Sequence, residues 1–171
     1  MKGLSSKEIE VVSYLELNEM FFFTRENISK FFKSENEMNV YIHRLRKKGR
    51  IIKLNRMKYY LIPVRAYKGY RTEHPFIIID EIFNGKDYFI GGMAAAHYWG
   101  FINQIPTAIE VYCTKKQGKK EIFNFTIIFK RVRKLHGSVI EEIKGHLFFI
   151  ASREKVRKWL KSKQVMKGKS F

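Results

Sequence analysis

The sequence contains one cysteine, few acidic residues and no long apolar run, and each shortage excludes a class of protein. A single cysteine in 171 residues excludes a disulfide framework and a zinc cluster built from cysteines. No apolar run approaches the roughly 20 residues of a membrane-spanning helix, and the N-terminus lacks the apolar stretch of a signal peptide. We therefore expect a soluble, cytoplasmic protein without a membrane partner.

Acidic residues are scarce, since 34 Lys and Arg face 16 Asp and Glu and the formal charge is +18. This imbalance favours a polyanion as partner, most often nucleic acid, over an acidic protein or an anionic membrane surface. Apolar residues form 45% of the chain, which is enough for a buried core and excludes disorder throughout. A length of 171 residues suits one ordinary domain or two small ones.

A domain boundary is predicted near Pro63. Residues 64–72 are polar and contain glycine, which is typical of a linker between a domain at 1–63 and a domain at 73–171. Residues 1–63 hold 13 basic and 7 acidic residues, and the remainder holds 21 and 9, so both parts are basic. We predict an α+β protein whose second domain is mixed α/β and ends in a basic tail, Val165–Phe171.

The first domain shows short segments with helix or strand periodicity. They are a helix at Ser6–Leu17, a strand at Phe21–Phe23, a helix at Arg25–Phe32, a helix from Ser34 to about Lys48, and a hairpin of Arg50–Leu54 and Lys58–Ile62. The inner face of the first helix is expected to carry Ile9, Val12, Leu15 and Leu17. Helix, strand, helix, helix and hairpin is the order of a winged helix-turn-helix, and the resemblance covers about residues 4–62.

The third helix is predicted to bury one stripe and to expose the opposite face. The stripe follows the i, i+3, i+4, i+7 spacing and consists of Met38, Tyr41, Ile42 and Leu45. Ser34 and Glu37 match the capping box at the start of the helix, and Gly49 is a typical stop at its end.

The exposed face of this helix and the hairpin tip carry side chains suited to DNA. Asparagine can bond an adenine edge in two places, arginine can do the same for guanine, and the hairpin can contact phosphates or the minor groove. The candidate DNA-binding residues are Asn36, Asn39, Val40, His43, Arg44, Lys47, Asn55, Arg56 and Lys58. We expect double-stranded DNA as the partner, with a homodimer or paired binding at inverted repeats of the protein's own promoter. The alternatives are a merely solvated helix face and a protein-binding winged helix.

The second domain mixes helix and strand signals. Residues 73–84 suit a helix or a strand, and Pro75 at a first turn with Asn84-Gly85 as a stop favours the helix. The other predicted elements are a strand before Gly91, a helix up to Gly100, strands at Thr107–Thr114, Phe123–Arg133 and Leu147–Ala151, a lysine-rich loop at Lys115–Lys120, and a helix from Arg153 to about Lys161. The strands on either side of the lysine-rich loop are expected to form a hairpin.

Two basic groups in the second domain are candidate contacts to phosphates or to an acidic partner surface. Their simplest explanation is a solvated loop and a solvated strand. The residues are Lys115, Lys116, Lys119, Lys120, Lys130, Arg131, Arg133 and Lys134.

Four stretches of the second domain resemble AbiEi-type antitoxins of type IV toxin–antitoxin systems. They are Tyr88–Phe101 (YFIGGMAAAHYWGF), Glu110–Thr114 (EVYCT), Phe129–Lys134 (FKRVRK) and Phe149–Lys155 (FIASREK). Together with the preceding winged helix, the resemblance spans most of the chain. It implies a DNA-binding repressor of its own operon whose second domain counters a nucleotidyltransferase-like toxin. A stand-alone transcriptional regulator without a toxin is the alternative.

An enzymatic alternative is a nucleotidyltransferase, in which a Gly-Gly or Gly-Ser turn precedes a strand with two carboxylates that hold magnesium. Gly91-Gly92 supplies such a turn and Glu110 one carboxylate, but Tyr112 stands where the second would be. One carboxylate is a poor magnesium site. The five histidines show no metal-ligand spacing, and Cys113 is expected in the core. We predict no enzyme, no catalytic residue, no metal and no cofactor.

Overall fold

The computed structural model describes residues 3–63 and 73–167, with side chains described as far as residue 163, and its elements form an α+β fold as predicted. The chain divides into an N-terminal unit, Met1–Glu73, and a C-terminal unit, His74–Phe171. The predicted linker at 64–72 and the end of the predicted basic tail lie outside the described residues.

The elements of the N-terminal unit follow the predicted order. They are α1 (Ser6–Leu17), β1 (Phe22–Thr24), α2 (Arg25–Ile28), a 3-10 turn (Ser29–Phe31), α3 (Glu35–Lys47), β2 (Ile51–Lys53) and β3 (Lys58–Leu61). The strands form an antiparallel sheet in the order β1-β3-β2. The second helix is shorter than predicted, because the Ser29 hydroxyl donates to the carbonyl of Glu26 at 3.0 Å and competes with continued helix bonding.

The core of the N-terminal unit lies between α1, α3 and the sheet. It contains Val11, Val12, Leu15, Phe23, Ile28, Met38, Ile42, Leu45, Ile51, Tyr59 and Leu61. The prediction that Ile9 and Leu17 face inward is wrong, since they are 51% and 84% exposed. The buried stripe of α1 runs instead through Glu8 and the two valines to Leu15, and a helix of 3.6 residues per turn cannot bury both stripes.

A buried carboxylate joins α1 to the end of α3. Glu8 is fully buried; its Oε2 accepts a hydrogen bond from Lys48 at 2.5 Å and another from the Ser5 backbone N–H at 2.6 Å. Lys48 also donates to the carbonyl of Gly3 at 2.8 Å. Burial by itself raises the pKa of Glu8, but the bonds from Lys48 and Ser5 outweigh it, and the net pKa is lowered.

Both ends of α3 are fixed by local bonds. The Ser34 hydroxyl accepts from the Glu37 N–H at 3.2 Å, while the Glu37 carboxylate accepts from the Lys33 N–H at 2.7 Å instead of closing the reciprocal box on Ser34. At the other end Gly49 has φ +70°, a conformation that glycine adopts without strain. Its N–H donates to the carbonyl of Arg46 at 3.0 Å and ends the helix.

The C-terminal unit is built on a six-stranded sheet. Its elements are α4 (Pro75–Phe83), β4 (Tyr88–Gly91), α5 (Gly92–Tyr98), β5 (Ala108–Cys113), β6 (Gly118–Ile122), β7 (Phe125–Arg131), β8 (Ser138–Ile143), β9 (His146–Ala151) and α6 (Arg153–Lys167). The strand order is β6-β7-β5-β4-β9-β8, with β5/β7 and β4/β9 parallel and the other pairs antiparallel. The helix predicted at 73–84 is confirmed, with Pro75 in its first turn and Asn84 at φ 54° as its stop.

Two predictions for this sheet are wrong. Residues 118–120, predicted to lie in a loop, begin β6, and the predicted hairpin between β5 and β7 is a parallel pair with β6 beyond it. The strand β8 was not predicted, because its two adjacent glutamates interrupt the alternating apolar pattern. The last helix continues to Lys167, into the segment predicted to be a tail.

One face of the sheet packs against α4, and we call it the helix-covered face. The Phe83 ring lies 4.9 Å from the Tyr88 ring and 5.9 Å from the Phe129 ring, and the rings of Phe76 and Phe148 are 5.3 Å apart. Buried Asp80 of α4 accepts from the Tyr88 hydroxyl at 2.7 Å, and its second oxygen lies 2.9 Å from Nε2 of His146. This polar bridge satisfies the acid within an otherwise apolar layer.

The helices in residues 3–63 and 73–167 are each too short or too polar to cross a bilayer.

We predict that Lys48→Met destabilises the protein by about 2–3 kcal/mol, somewhat below the range for fully buried pairs because Lys48 is partly exposed. The substitution leaves the buried Glu8 carboxylate without its cation. Urea unfolding at neutral pH measures the loss. Lys47→Met is the matched control, since its side chain is exposed one residue away, and we expect a change within about 0.5 kcal/mol.

The pH dependence gives a second readout of the same variant. Folding lowers the pKa of Glu8, so its contribution is complete above the ordinary carboxyl range and is lost as the pH falls through the folded value. The stability difference between wild type and Lys48→Met therefore shrinks on acidification. Equal stability of Lys48→Met and Lys47→Met at neutral pH would contradict the role of the pair.

Candidate nucleic-acid interface

The predicted reading face of α3 is exposed along its whole length. The exposed residues are Asn36, Asn39, Val40, His43, Arg44 and Lys47. On the opposite side of the helix Met38, Ile42 and Leu45 are buried in the core. Successive residues turn by about 100°, so a helix anchored along one stripe must present the opposite stripe to solvent.

Charge is unevenly distributed along α3. Its first turn carries Glu35 and Glu37, whereas its last turn carries Arg44, Arg46 and Lys47. This distribution complements the helix dipole and makes the C-terminal half the positive part of the exposed face. The Arg44 guanidinium lies 5.3 Å from the centre of the Tyr41 ring, an arrangement in which a planar guanidinium stacks on an aromatic side chain.

Arg46 is an exposed cation of α3 that the sequence analysis did not select. At 100° per residue it lies about as far from the centre of the exposed face as Arg44, on the other flank. A full angular projection of the helix would have identified it.

The hairpin tip presents one predicted contact residue directly and uses another to build the turn. Oδ1 of Asn55 accepts from the backbone N–H groups of Met57 and Lys58 at 2.9 and 2.8 Å, so this oxygen shapes the turn. Arg56 is exposed at the tip, and Met57 beside it is 62% exposed. Lys58 is half-buried in β3, opposite Thr24. Arg56 is therefore the hairpin cation best placed for a phosphate.

A groove of about 440 Å³ lies between the hairpin tip, the start of α2 and the start of α3. Arg56 and Met57 line it from the hairpin, and Ser34 and Glu35 line it from α3. The hairpin tip and the N-terminal end of α3 therefore border one concave surface.

Cations also converge at the other end of α3. A second groove of about 410 Å³ is lined by Arg44, Lys47 and Lys48 together with Ser5 and Glu8 of the α1 terminus. The Glu8 carboxylate already holds Lys48, so Arg44 and Lys47 are the groove's two exposed cations.

Several basic residues predicted as contacts in the C-terminal unit have internal partners. Lys115 lies 3.6 Å from the Asp87 carboxylate, and Lys130 lies 2.7 Å from the Glu110 carboxylate. Lys116 sits over the Phe83 ring at 4.7 Å, and burial lowers the pKa of its ammonium group. Lys116 and Lys130 therefore pack within the unit, whereas the exposed pair of Lys115 and Asp87 contributes little to stability.

The remaining predicted basic residues of this unit are on or near the surface. Lys119, Arg131, Arg133 and Lys134 are exposed, and Lys120 is half-buried. They do not all belong to one strand face, because β7 ends at Arg131 and the next two cations lie beyond it.

The glycine pair at the β4–α5 junction accommodates side chains of β5. A Cβ atom on Gly91 would lie 2.6 Å from the Tyr112 ring, and one on Gly92, at φ +61°, would lie 2.5 Å from Oε2 of Glu110. The Tyr112 ring stacks on Phe89 with centroids 5.0 Å apart. Close packing against β5 therefore accounts for both glycines without a bound phosphate.

Both carboxylate oxygens of Glu110 have partners. Its Oε2 accepts from the Tyr112 hydroxyl at 2.9 Å and its Oε1 pairs with Lys130. Burial raises the pKa of Tyr112, and the Glu110 charge raises it further. Among the described residues no three His, Cys, Asp or Glu side chains form a group able to hold a metal ion, and Cys113 is buried as predicted.

No protein-family model matches the sequence, and no curated protein matches it. Among solved structures the chain is similar to the crystal structure of the RV2827C protein from Mycobacterium tuberculosis, with 14% sequence identity and a TM-score of 0.53. The similarity covers 77% of this chain, and this chain spans 47% of that one, about half its length. The likeness shows a shared fold.

We predict that Gly92→Ala destabilises the protein by about 2–4 kcal/mol, the sum of left-handed backbone strain and overpacking against Glu110. Gly100→Ala is the matched control, because Gly100 has φ +70° but no atom within 4 Å of an added Cβ. We expect about 1–2 kcal/mol for this control, from strain alone. Urea unfolding compares the two variants, and equal losses would show that the contact with Glu110 carries no weight.

Proposed function

We propose that the N-terminal unit is a winged helix-turn-helix domain that binds duplex DNA through α3 and the β2–β3 hairpin. The observation that carries the proposal is the exposed polar face of α3, on a helix whose N-terminal end lines the same groove as Arg56 of the hairpin tip. An unpartnered polar helix face beside a basic hairpin suits a major groove and the phosphates flanking it.

In this proposal α3 enters the major groove, where some of its side chains contact bases and others contact phosphates. Asn36 and Asn39 accept and donate at adenine edges, and Arg44 donates to the guanine O6 and N7 atoms. Lys47 and Arg56 neutralise phosphates and set the register of the helix on the duplex. Val40, which is 47% exposed, suits contact with a thymine methyl group.

We propose that the protein is an AbiEi-like antitoxin, which acts in the cytoplasm and represses transcription. The support is the resemblance of the motifs in β4–α5, β5, β7 and β9, joined to a candidate DNA-binding unit. On this proposal the protein represses its own operon and counters a nucleotidyltransferase-like toxin. A stand-alone regulator is the second candidate; rescue of growth on co-expression with such a toxin separates the two.

Nucleotidyl transfer by this chain is the less favoured function. The single carboxylate of the motif, Glu110, is bonded to Lys130 and Tyr112. A magnesium ion at Glu110 would have to displace Lys130 from the carboxylate. The site would still lack the second carboxylate ligand. We therefore propose that Glu110 is structural.

The decisive experiment measures binding of the full chain to the DNA upstream of its own gene. A shuffled duplex of the same length and composition is the control, and both are titrated at several salt concentrations. We expect tighter binding to the upstream duplex and a negative salt slope for both. Equal affinity for both duplexes would contradict sequence recognition by α3.

We predict that Arg44→Ala weakens binding to the preferred sequence by about 1–3 kcal/mol and relaxes discrimination at one base pair. Fluorescence anisotropy with a panel of single-base variants measures the effect. Arg44→Lys is the matched control because it keeps the charge and loses the two-pronged bond. If Arg44→Lys retains full discrimination, Arg44 contacts phosphate and reads no base.

We predict that Arg56→Ala weakens binding to all sequences to a similar degree and reduces the salt slope by about one unit. The reason is the loss of one phosphate contact from the hairpin tip. Lys86→Ala, which removes an exposed cation of the C-terminal unit, controls for the change in net charge. A sequence-selective loss, or an unchanged slope, would remove Arg56 from the phosphate contacts.

A further inference from the structure

The six-stranded sheet ends in two edge strands of opposite charge. β6 carries Lys119, Lys120 and one acid, Glu121, whereas β8 carries Glu141 and Glu142 and no basic residue. Each of these strands has one neighbouring strand in the described part of the chain. An edge strand presents backbone N–H and C=O groups that can pair with a further strand.

The directions of the two edges decide how a second copy can extend the sheet. β7 and β8 run in the same direction as β5. β4, β6 and β9 run in the opposite direction. The two edge strands are therefore antiparallel to each other. When the sheet is continued by a second copy, β8 of the first copy lies antiparallel to β6 of the second.

One register uses the full length of β6. Residues 139–143 pair with residues 118–122 when Val139 stands opposite Ile122. Val139 is already the partner of Ile150, and Ile122 of Phe125, and all four lie on the helix-covered face. Cross-strand partners point to the same face, whereas a slip of one residue would set opposite faces together.

The same register sets opposite charges against each other. Glu142 falls opposite Lys119, and both side chains are exposed on the other face of the sheet. Opposite charges on facing strand positions stabilise a pair, and like charges destabilise it. Two β8 edges brought together would instead place four glutamates on adjacent strands.

We propose that the C-terminal unit binds a second copy of this chain head to tail, by antiparallel pairing of β8 with β6. Ile140 of β8, which is 56% exposed, comes to lie opposite the methylene groups of Glu121 and loses solvent contact there. The joint consists of one strand pair and charged side chains. It is therefore weak in dilute solution and weakens further with salt.

Charge reversal at either edge tests the proposal in the full-length chain. Glu142→Lys and Lys119→Glu each set like charges opposite each other. Sedimentation equilibrium at low salt, over a rising protein concentration, measures association. We expect the wild type to associate, and each reversal to weaken association on the order of tenfold.

Mixing the two variants gives the sharper readout. Each variant has one edge that complements an edge of the other, so an equimolar mixture is expected to associate more strongly than either variant alone. Glu154→Lys and Lys158→Glu are matched controls, with the same charge changes at exposed positions of α6. They are expected to associate like the wild type, and circular dichroism confirms that each variant is folded.

Three outcomes would overturn the proposal. The first is a wild-type chain that stays monomeric at low salt up to its solubility limit. The second is a mixture that associates no better than either variant alone. The third is an effect of Glu142→Lys without any effect of Lys119→Glu, which would indicate symmetric pairing of two β8 edges.

Discussion

The ion pair between Glu8 and Lys48 is the contact on which the candidate interface depends. It joins the first turn of α1 to the residue that follows α3, and Glu8 is fully buried. A buried carboxylate without its cation is costly, so the pair favours a placement of α3 that keeps Lys48 within reach of Glu8. That placement buries Met38, Ile42 and Leu45 and leaves the opposite stripe outside. The exposed polar face of α3 is therefore a consequence of how the helix is held, as well as of its own polar residues.

The pair also divides the cations near the end of α3 into one that is bound internally and two that are exposed. Lys48 is occupied by Glu8 and by the Gly3 carbonyl, whereas Arg44 and Lys47 extend from the same turn into solvent. A similar division operates in the C-terminal unit, where Lys116 packs over two aromatic rings and Lys130 pairs with Glu110. Net charge alone therefore overstates the basic surface that is available to a polyanion. The basic surface that remains includes the exposed cations Arg44 and Lys47 of α3.

The elements of the N-terminal unit could be predicted because each has a local cause. Ser34 and Gly49 mark the ends of α3, and its buried stripe has helical spacing. The buried acid at Glu8 could not be predicted, since its partner Lys48 is distant in sequence and a helix surface pattern favours exposed glutamate. In the sheet, the strands with apolar alternation were predicted, whereas β6 and β8 were missed because edge strands carry charge. The parallel pairing of β5 with β7 depends on contacts across the whole unit, which local signals do not encode.

The charges that hid the edge strands from sequence analysis bear on how copies can assemble. Charged edge strands ordinarily prevent strand pairing between molecules. Where the two edges of a sheet carry opposite charges, only the pairing of two identical edges is repelled. A joint between different edges is heterologous, so it relates successive copies by one repeated operation and has no two-fold axis. A two-fold pair of C-terminal units would instead bring like edges together, and the two glutamates of β8 oppose that arrangement. The charges of β6 and β8 therefore favour an open head-to-tail arrangement of the C-terminal units over a closed two-fold pair.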